Sequence, residues 1–346
     1  MEVVHHHRLP GVGHVSIERL FEEIRSHLPS PWTTRVARCP RRSVGLVGRL
    51  ANMEAARRNA GVINHITGDV HYLGLSLPKR GLILTIHDCA LLRVLSGVSR
   101  EAFKQLWFSL PMRRSDVITT ISLTMRNELL LLVGEDALRT CVVPNCVRSE
   151  YEASPKEFHN AQPVILQVGT GWNKNLEKVA ASLRGIPCRL DIIGRLSELQ
   201  HDILKFHGIR YRALGRVSDA EMLEAYRNCD LVMFASHYEG FGLPIIEAQA
   251  IGRPVITSNF GAMEEAAGEG ALLVNPSSES GIRGAVRRLI GDSGLRGEVI
   301  ARGFDNVKKY QPATIAREYA AIYAELEEKL KAKDGHSASP SPTLRS

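Results

Sequence analysis

The stretch Leu231-Val232-Met233-Phe234-Ala235-Ser236-His237-Tyr238-Glu239-Gly240-Phe241-Gly242-Leu243-Pro244-Ile245-Ile246-Glu247-Ala248 reads as strand, loop and helix. Its first four residues are an apolar run suited to a strand buried on both faces, and Pro244 suits the first helical turn, where a missing N–H goes unnoticed. The glycines let the backbone come close to a bound group, while the free N–H groups and dipole at the helix start favour an anion such as a phosphate. Glu239 lies in the loop and Glu247 about one turn into the helix, so both carboxylates look toward one crevice and suit the hydroxyls of a sugar. Gly-x-Gly alone is common and fits an ordinary tight connection between solvated carboxylates equally well. The distinguishing pattern is longer: Glu, seven residues, Glu, enclosing Gly-Phe-Gly-Leu-Pro and followed by Gly252-Arg253-Pro254-Val255-Ile256.

Outward from this stretch, strands and helices alternate along the chain, which argues an α/β protein with open parallel sheets covered on both faces. Toward the N-terminus, Val3 to Leu9 begins as a strand, Pro10-Gly11-Val12-Gly13 is a turn, and Ile17, Leu20, Phe21, Ile24 and Leu28 recur at helical spacing. That is a second candidate phosphate loop, without the third glycine of a dinucleotide fingerprint. Val44 to Val47 reads as a strand, with Met53 to Asn59 helical. Leu82 to Asp88 is a clearer strand, and His87 stands where it ends, on the ligand edge of a parallel sheet; a capping or core histidine is the alternative there. Residues 148 to 163 lose periodicity and read as a linker. The pattern then restarts with Val164 to Val168, a loop from Gly169 to Asn173, and a helix beginning after Lys174, where an ammonium would reach a phosphate at the helix start. Ile315, Tyr319, Ile322, Tyr323 and Leu326 form a last amphipathic stripe.

The 346 residues suffice for two domains, and 44% apolar with 23% charged residues describes a soluble globular chain. No stretch approaches a membrane span, and the N-terminus lacks a signal peptide's apolar core, so the cytoplasm is expected. Six scattered cysteines are read as reduced, structural thiols. His5, His6 and His7 alternate faces of a strand, which argues against a shared metal. The net charge of +7 sits in residues 1–150, with 20 Lys and Arg against 13 Asp and Glu. It is densest from Trp32 to Arg42, where Arg35, Arg38, Arg41 and Arg42 suit an anionic membrane surface or phosphorylated acceptor; an ordinary solvated loop accounts for them equally well.

The motif around Glu239 and Glu247 resembles the nucleotide-sugar site of retaining glycosyltransferases of family 4. Thr85-Ile86-His87-Asp88, Val143-Pro144-Asn145, Val168-Gly169 with Lys174-Asn175, Gly261 to Glu264 and Ala271 to Pro276 match in the same order, to about residue 330. The resemblance implies a GT-B fold: two Rossmann-like domains facing each other across a cleft. Residues 1–150 would be the acceptor-side domain and 163–311 the nucleotide-sugar-binding domain. A helix at 312–331 would pack back toward the N-terminal domain, and 334–346 would be a disordered tail. Glu239, His87 and Lys174 would be catalytic, holding the sugar and neutralising the leaving diphosphate. Gly11, Gly13, Thr170, Gly240, Phe241, Gly242, Leu243 and Glu247 would bind the donor, with Glu247 on the ribose hydroxyls. Thr170 departs from the arginine of many family members, and Arg195 or an arginine of the first domain is the expected compensation.

The resemblance further implies a retaining, hexosyltransferase-type enzyme that moves sugar to a glycan or lipid-linked acceptor in polysaccharide or glycoconjugate biosynthesis. The chain contains no Asp-x-Asp, so a metal-independent reaction without cofactor is expected, carried out in the cytoplasm or peripherally on the inner membrane face. Nucleic acid is not an expected partner, because only Trp32 adjoins the arginines. A sugar-nucleotide epimerase on the same fold, or a non-catalytic basic protein binding anionic lipid or nucleic acid, remains the alternative.

Overall fold

The computed structural model describes residues 1–9 and 16–337. The chain divides into two units: Met1–Ile121, Met125–Val143 and the segment from Ala313 onward form unit 1, while Ser122–Thr124 and Pro144–Pro312 form unit 2. Each contains a six-stranded parallel sheet. Unit 1 holds β1 (Glu2–His7), β2 (Thr33–Arg38), β3 (Ile63–Ile66), β4 (Leu82–Ile86), β5 (Val117–Thr120) and β6 (Thr140–Val142), in the order β2-β1-β3-β4-β5-β6. Unit 2 holds β7 (Val164–Val168), β8 (Arg189–Ile193), β9 (Tyr211–Gly215), β10 (Leu231–Phe234), β11 (Val255–Ser258) and β12 (Leu272–Val274), ordered β12-β11-β10-β7-β8-β9.

The most apolar runs take central places. Leu-Ile-Leu-Thr-Ile of β4 and Leu-Val-Met-Phe of β10 are buried at every position, as strands covered on both faces require. In unit 2 the chain lays β8 and β9 to one side of β7, then returns to place β10 on the other, with Leu231 opposite Ile165 and Met233 opposite Gln167. Strand order reverses there, and open α/β sheets take their ligands beyond the carboxyl ends of the strands at such a reversal, here β7 and β10. In unit 1 the corresponding reversal lies between β1 and β3.

Three expectations change. Val44 to Val47 is not a strand: Val44 precedes the helix Gly45–Arg58, and both valines are exposed, at 77% and 70%. The strand beside β1 is instead Thr33–Arg38, inside the arginine-rich stretch that reads as a loop; Arg35 pairs there with Glu2 at 3.1 Å. Its residues are only half buried, so an edge strand leaves little apolar alternation to read. Third, the helix Glu198–Phe206 is an addition to the sequence reading, although Ser197 and Gln200 form a capping box at its start. The stretch 148–163 has no regular structure, as a linker would, yet it packs on unit 2: Tyr151 is buried against Tyr226, and Lys156 is ion-paired with buried Asp230. The last helix runs from Pro312 to Ser337, so residues 334–337 are helical, while 338–346 lie outside the described residues.

That helix belongs to unit 1. Tyr323 is buried with its hydroxyl between two histidines, 3.1 Å from His5 Nε2 and 2.9 Å from His65 Nδ1, and His65 Nε2 meets Thr85 Oγ1 at 2.7 Å. The three consecutive histidines do alternate: His5 and His7 lie against Phe21, whereas His6 Nε2 meets Asn64 Oδ1 at 3.1 Å. Among the described residues no group of three or more side chains is arranged to hold a metal ion. The cysteines are free thiols, and all but Cys141 are buried.

Burial holds these histidines neutral. It lowers His6 to about 4, the Asn64 hydrogen bond offsetting part of the shift. It lowers His7 to about 3, helped by the charge of Arg25, and pushes His5 and His65 well below 6.5. An unfolded chain protonates them near 6.5, so below that pH the unfolded state binds more protons and stability falls with pH until the folded-state values are reached. Each such histidine removes about 1.4 kcal/mol per pH unit across its interval. Urea unfolding at about pH 7 and about pH 5 should therefore show a stability lower by several kcal/mol at the acid end; equal stability at the two would contradict this account.

Candidate active site

Two loops meet at the strand-order reversal of unit 2, one leaving β7 and one leaving β10. The β7 loop turns through Gly169 at φ +94, where a Cβ would lie 2.7 Å from Lys174 Cε. Glycine therefore lets the Lys174 side chain fold back along its own loop. Trp172–Lys174 forms a short 3-10 turn with Trp172 80% exposed, and the helix Leu176–Leu183 follows. Between turn and helix stands Asn175 at φ 57, a left-handed conformation that asparagine tolerates better than most side chains. Its amide reaches two segments: Nδ2 donates to Ala235 O at 3.0 Å and Oδ1 meets His237 Nε2 at 3.0 Å on the β10 loop, and Nδ2 donates to Pro276 O at 2.8 Å. That amide is engaged by these groups, and no side chain caps the helix Leu176–Leu183.

The β10 loop arrives from the other side. The His237 backbone N–H donates to Asn173 O at 2.8 Å, and Asn173 Nδ2 donates to Tyr238 O at 2.8 Å and to Glu239 Oε1 at 3.1 Å. Lys174 Nζ donates to the same Glu239 oxygen at 2.6 Å and lies 4.4 Å from the centre of the Phe234 ring. Both partners are largely shielded, with side chains 18% and 16% exposed. Gly242, at φ +129, turns the chain into the helix Leu243–Ile251, which also begins without a side-chain cap and with proline in its first turn. Uncapped N–H groups from the starts of two helices thus lie on the loops that carry this ammonium and carboxylate.

Glu247 stands apart from that pair. Its Oε2 accepts from Tyr226 Oη at 2.7 Å, and Tyr226 packs edge-on against Tyr151. Burial raises the Glu247 carboxyl above its usual range; the Tyr226 hydroxyl and the charge of Arg148 pull it part of the way back. Arg148 is itself held by Glu150 at 2.7 Å and Asp219 at 3.1 Å. The result is a positioned acceptor backed by aromatic rings, chemistry suited to vicinal hydroxyls.

The structure thus brings Lys174 and Glu239 together and places Gly240, Gly242 and Leu243 on the adjoining turn. The Phe241 side chain is buried and edge-on to Tyr310, which leaves its main chain as the part on the turn. Thr170 donates its hydroxyl to Arg195 O at 2.8 Å, so the main chain at Arg195 abuts the β7 loop while the residue itself is exposed. His87, in unit 1, is buried at the end of β4 with Nε2 2.9 Å from Thr67 O; a carbonyl only accepts, so Nε2 carries the proton in the neutral ring and Nδ1 is the acceptor. Gly11 and Gly13 lie outside the described residues. Asn173, Tyr226 and Arg148 are functional supports that the sequence reading misses. Asn-Lys-Asn before an apolar helix is the available signal for the first, and nothing in spacing marks the others.

Residues 150–305 match the family described as glycosyl transferases group 1. The O-antigen chain mannosyltransferase RfbU of Salmonella typhimurium is 25% identical over 244 residues, covering 66% of this chain and 68% of its own. O-antigen chain mannosyltransferase B of Escherichia coli and glycogen synthase of Mycobacterium tuberculosis, each 29% identical, are matched over 36% and 47% of their own lengths and 46% and 52% of this chain. Among solved structures, sucrose-phosphate synthase from Thermosynechococcus elongatus superposes with a TM-score of 0.77 at 16% identity, over 95% of this chain and 99% of that one. Anabaena HepE, solved in complex with UDP and glucose, gives 0.76 at 15% identity, over 94% and 100%. The site motif lies inside the matched segment, so residues 150–305 carry the likeness to group 1 glycosyltransferases, and along nearly its whole length the chain has the GT-B fold of these solved structures.

Proposed function

We propose that this enzyme is a retaining, metal-independent hexosyltransferase that moves a sugar from a nucleotide-diphosphate sugar to a glycan or lipid-linked acceptor in polysaccharide assembly. The observation that carries the reading is the Lys174 ammonium, 2.6 Å from Glu239, at the strand-order reversal and beside two uncapped helix starts. As the bond from the anomeric carbon to the diphosphate oxygen breaks, negative charge gathers on the diphosphate. Lys174 and the helix N–H groups meet it with donors already in place, in a partly water-excluded setting. The acceptor oxygen forms the new bond on the face that the diphosphate leaves, and its proton passes to the departing phosphate oxygen. Glu239 holds hydroxyls of the sugar and Glu247 the ribose.

The acceptor class draws support from the O-antigen role named for the Salmonella relative, and a nucleotide donor from the UDP held by HepE. Among the described residues no helix is long and apolar enough to cross a membrane.

A thermal-shift series with UDP, GDP, ADP and TDP should show stabilisation by one nucleotide, and Glu247→Ala should abolish most of it, since ligand-induced stabilisation follows affinity directly. No shift with any nucleotide would oppose the donor site as drawn. Lys174→Ala should lower the transfer rate by about 100- to 1,000-fold, with Lys174→Arg recovering part of it; transfer at the wild-type rate in the alanine variant would remove Lys174 from the chemistry.

A further inference from the structure

We propose that the first turn of the helix Gly45–Arg58, together with Arg41 and Arg42, is a membrane-docking surface that enters the headgroup region of an anionic lipid bilayer. Val44, Leu46, Val47 and Leu50 are 77%, 71%, 70% and 54% exposed, an unusual density of bare aliphatic side chains for one turn. Positions 46, 47 and 50 share a helical face. The helix's buried residues, Asn52 and Ala56, lie further along, so its beginning protrudes while its middle is anchored.

The two arginines are fixed beside this face. Asn52 Oδ1 accepts from the Arg41 backbone N–H at 3.0 Å, and its Nδ2 donates to Arg41 O at 2.9 Å. A Cβ at Gly48 would lie 2.8 Å from Arg42 O, so the Arg41–Arg42 segment rests directly on the first turn. Both arginines are exposed, and no ion pair involves either among the described residues. Residues 24–53 hold six arginines and no Asp or Glu, so no nearby carboxylate in this segment competes for lipid phosphates.

Charge selects the occupant. A second copy meeting this patch about a two-fold axis would bring like-charged arginines together, whereas anionic headgroups attract them while the aliphatic side chains leave water. Arg35 and Arg38 belong to the edge strand instead, and Arg35 is already paired with Glu2, so the docking charges are Arg41 and Arg42.

The test is co-sedimentation of the full chain with phosphatidylglycerol–phosphatidylcholine vesicles against phosphatidylcholine alone. Wild type should partition to the anionic vesicles, more weakly at high salt. The triple variant Leu46→Ser, Val47→Ser, Leu50→Ser should lose partition by about tenfold or more, and Arg41→Ser with Arg42→Ser by about fivefold per arginine. Nucleotide-induced thermal shifts should persist in both variants, which reports folding and keeps this proposal separable from the donor site. Equal partition of wild type and triple variant, or binding indifferent to lipid charge, would overturn it. So would a concentration-dependent dimer, seen by sedimentation, that the triple variant abolishes while wild type ignores vesicles.

Discussion

The geometry of the candidate donor site rests on one side chain. Asn175 binds the Ala235 carbonyl at the end of β10, the Pro276 carbonyl beyond β12 and the His237 ring, all from a left-handed position between a 3-10 turn and a helix. It ties its own loop to two segments distant in sequence; its amide is engaged by them, and no side chain caps the helix behind it. The loops are thus joined where free N–H groups lie beside Lys174, a position where a lysine opposes the helix dipole. Glu239 balances that lysine at 2.6 Å. The ammonium is thus already oriented by its carboxylate, and a diphosphate bound there as proposed would find little side-chain freedom left to lose.

Glu247 obeys a different logic. Burial favours its neutral form, and the Tyr226 hydroxyl resists that, so the carboxyl is tuned by its surroundings and not by a formal partner cation in contact. The two glutamates of one motif thus serve separate electrostatic environments, one an ion pair and one an aromatic-backed acceptor. The linker-like stretch supplies Arg148 and Tyr151 to the second environment, which gives residues 148–163 a part in shaping the site.

Sequence reading works where burial is extreme. β4 and β10 are apolar at nearly every position, and Gly-x-Gly-x-Pro marks the helix start plainly, so the parallel sheets and the Lys174 and Glu239 loops can be placed from residues alone. It fails where a strand lies at an edge. Thr33–Arg38 alternates too weakly to stand out, and the more hydrophobic Val44-Gly45-Leu46-Val47 takes its place in the reading because exposure of aliphatics runs against the usual inference from apolar to buried. Phe241 shows the same limit at the site: spacing places it in the loop but cannot show that its ring turns into the core beside Tyr310. Tyr226 is legible only as a helical face, since a hydroxyl reaching a carboxylate on another element leaves no trace in periodicity.

Tyr323 sits between His5 and His65 although more than 250 residues separate it from either. Unit 1 therefore draws on both ends of the described chain, while apart from three residues unit 2 is one continuous segment. On a ribosome the order of completion is reversed from the order of synthesis. The second sheet can close soon after it emerges, whereas the first must hold its buried histidines in water or in provisional contacts until the last helix is made. The unit begun first is thus the one finished last, and its nascent form is where a chaperone would find apolar surface to hold.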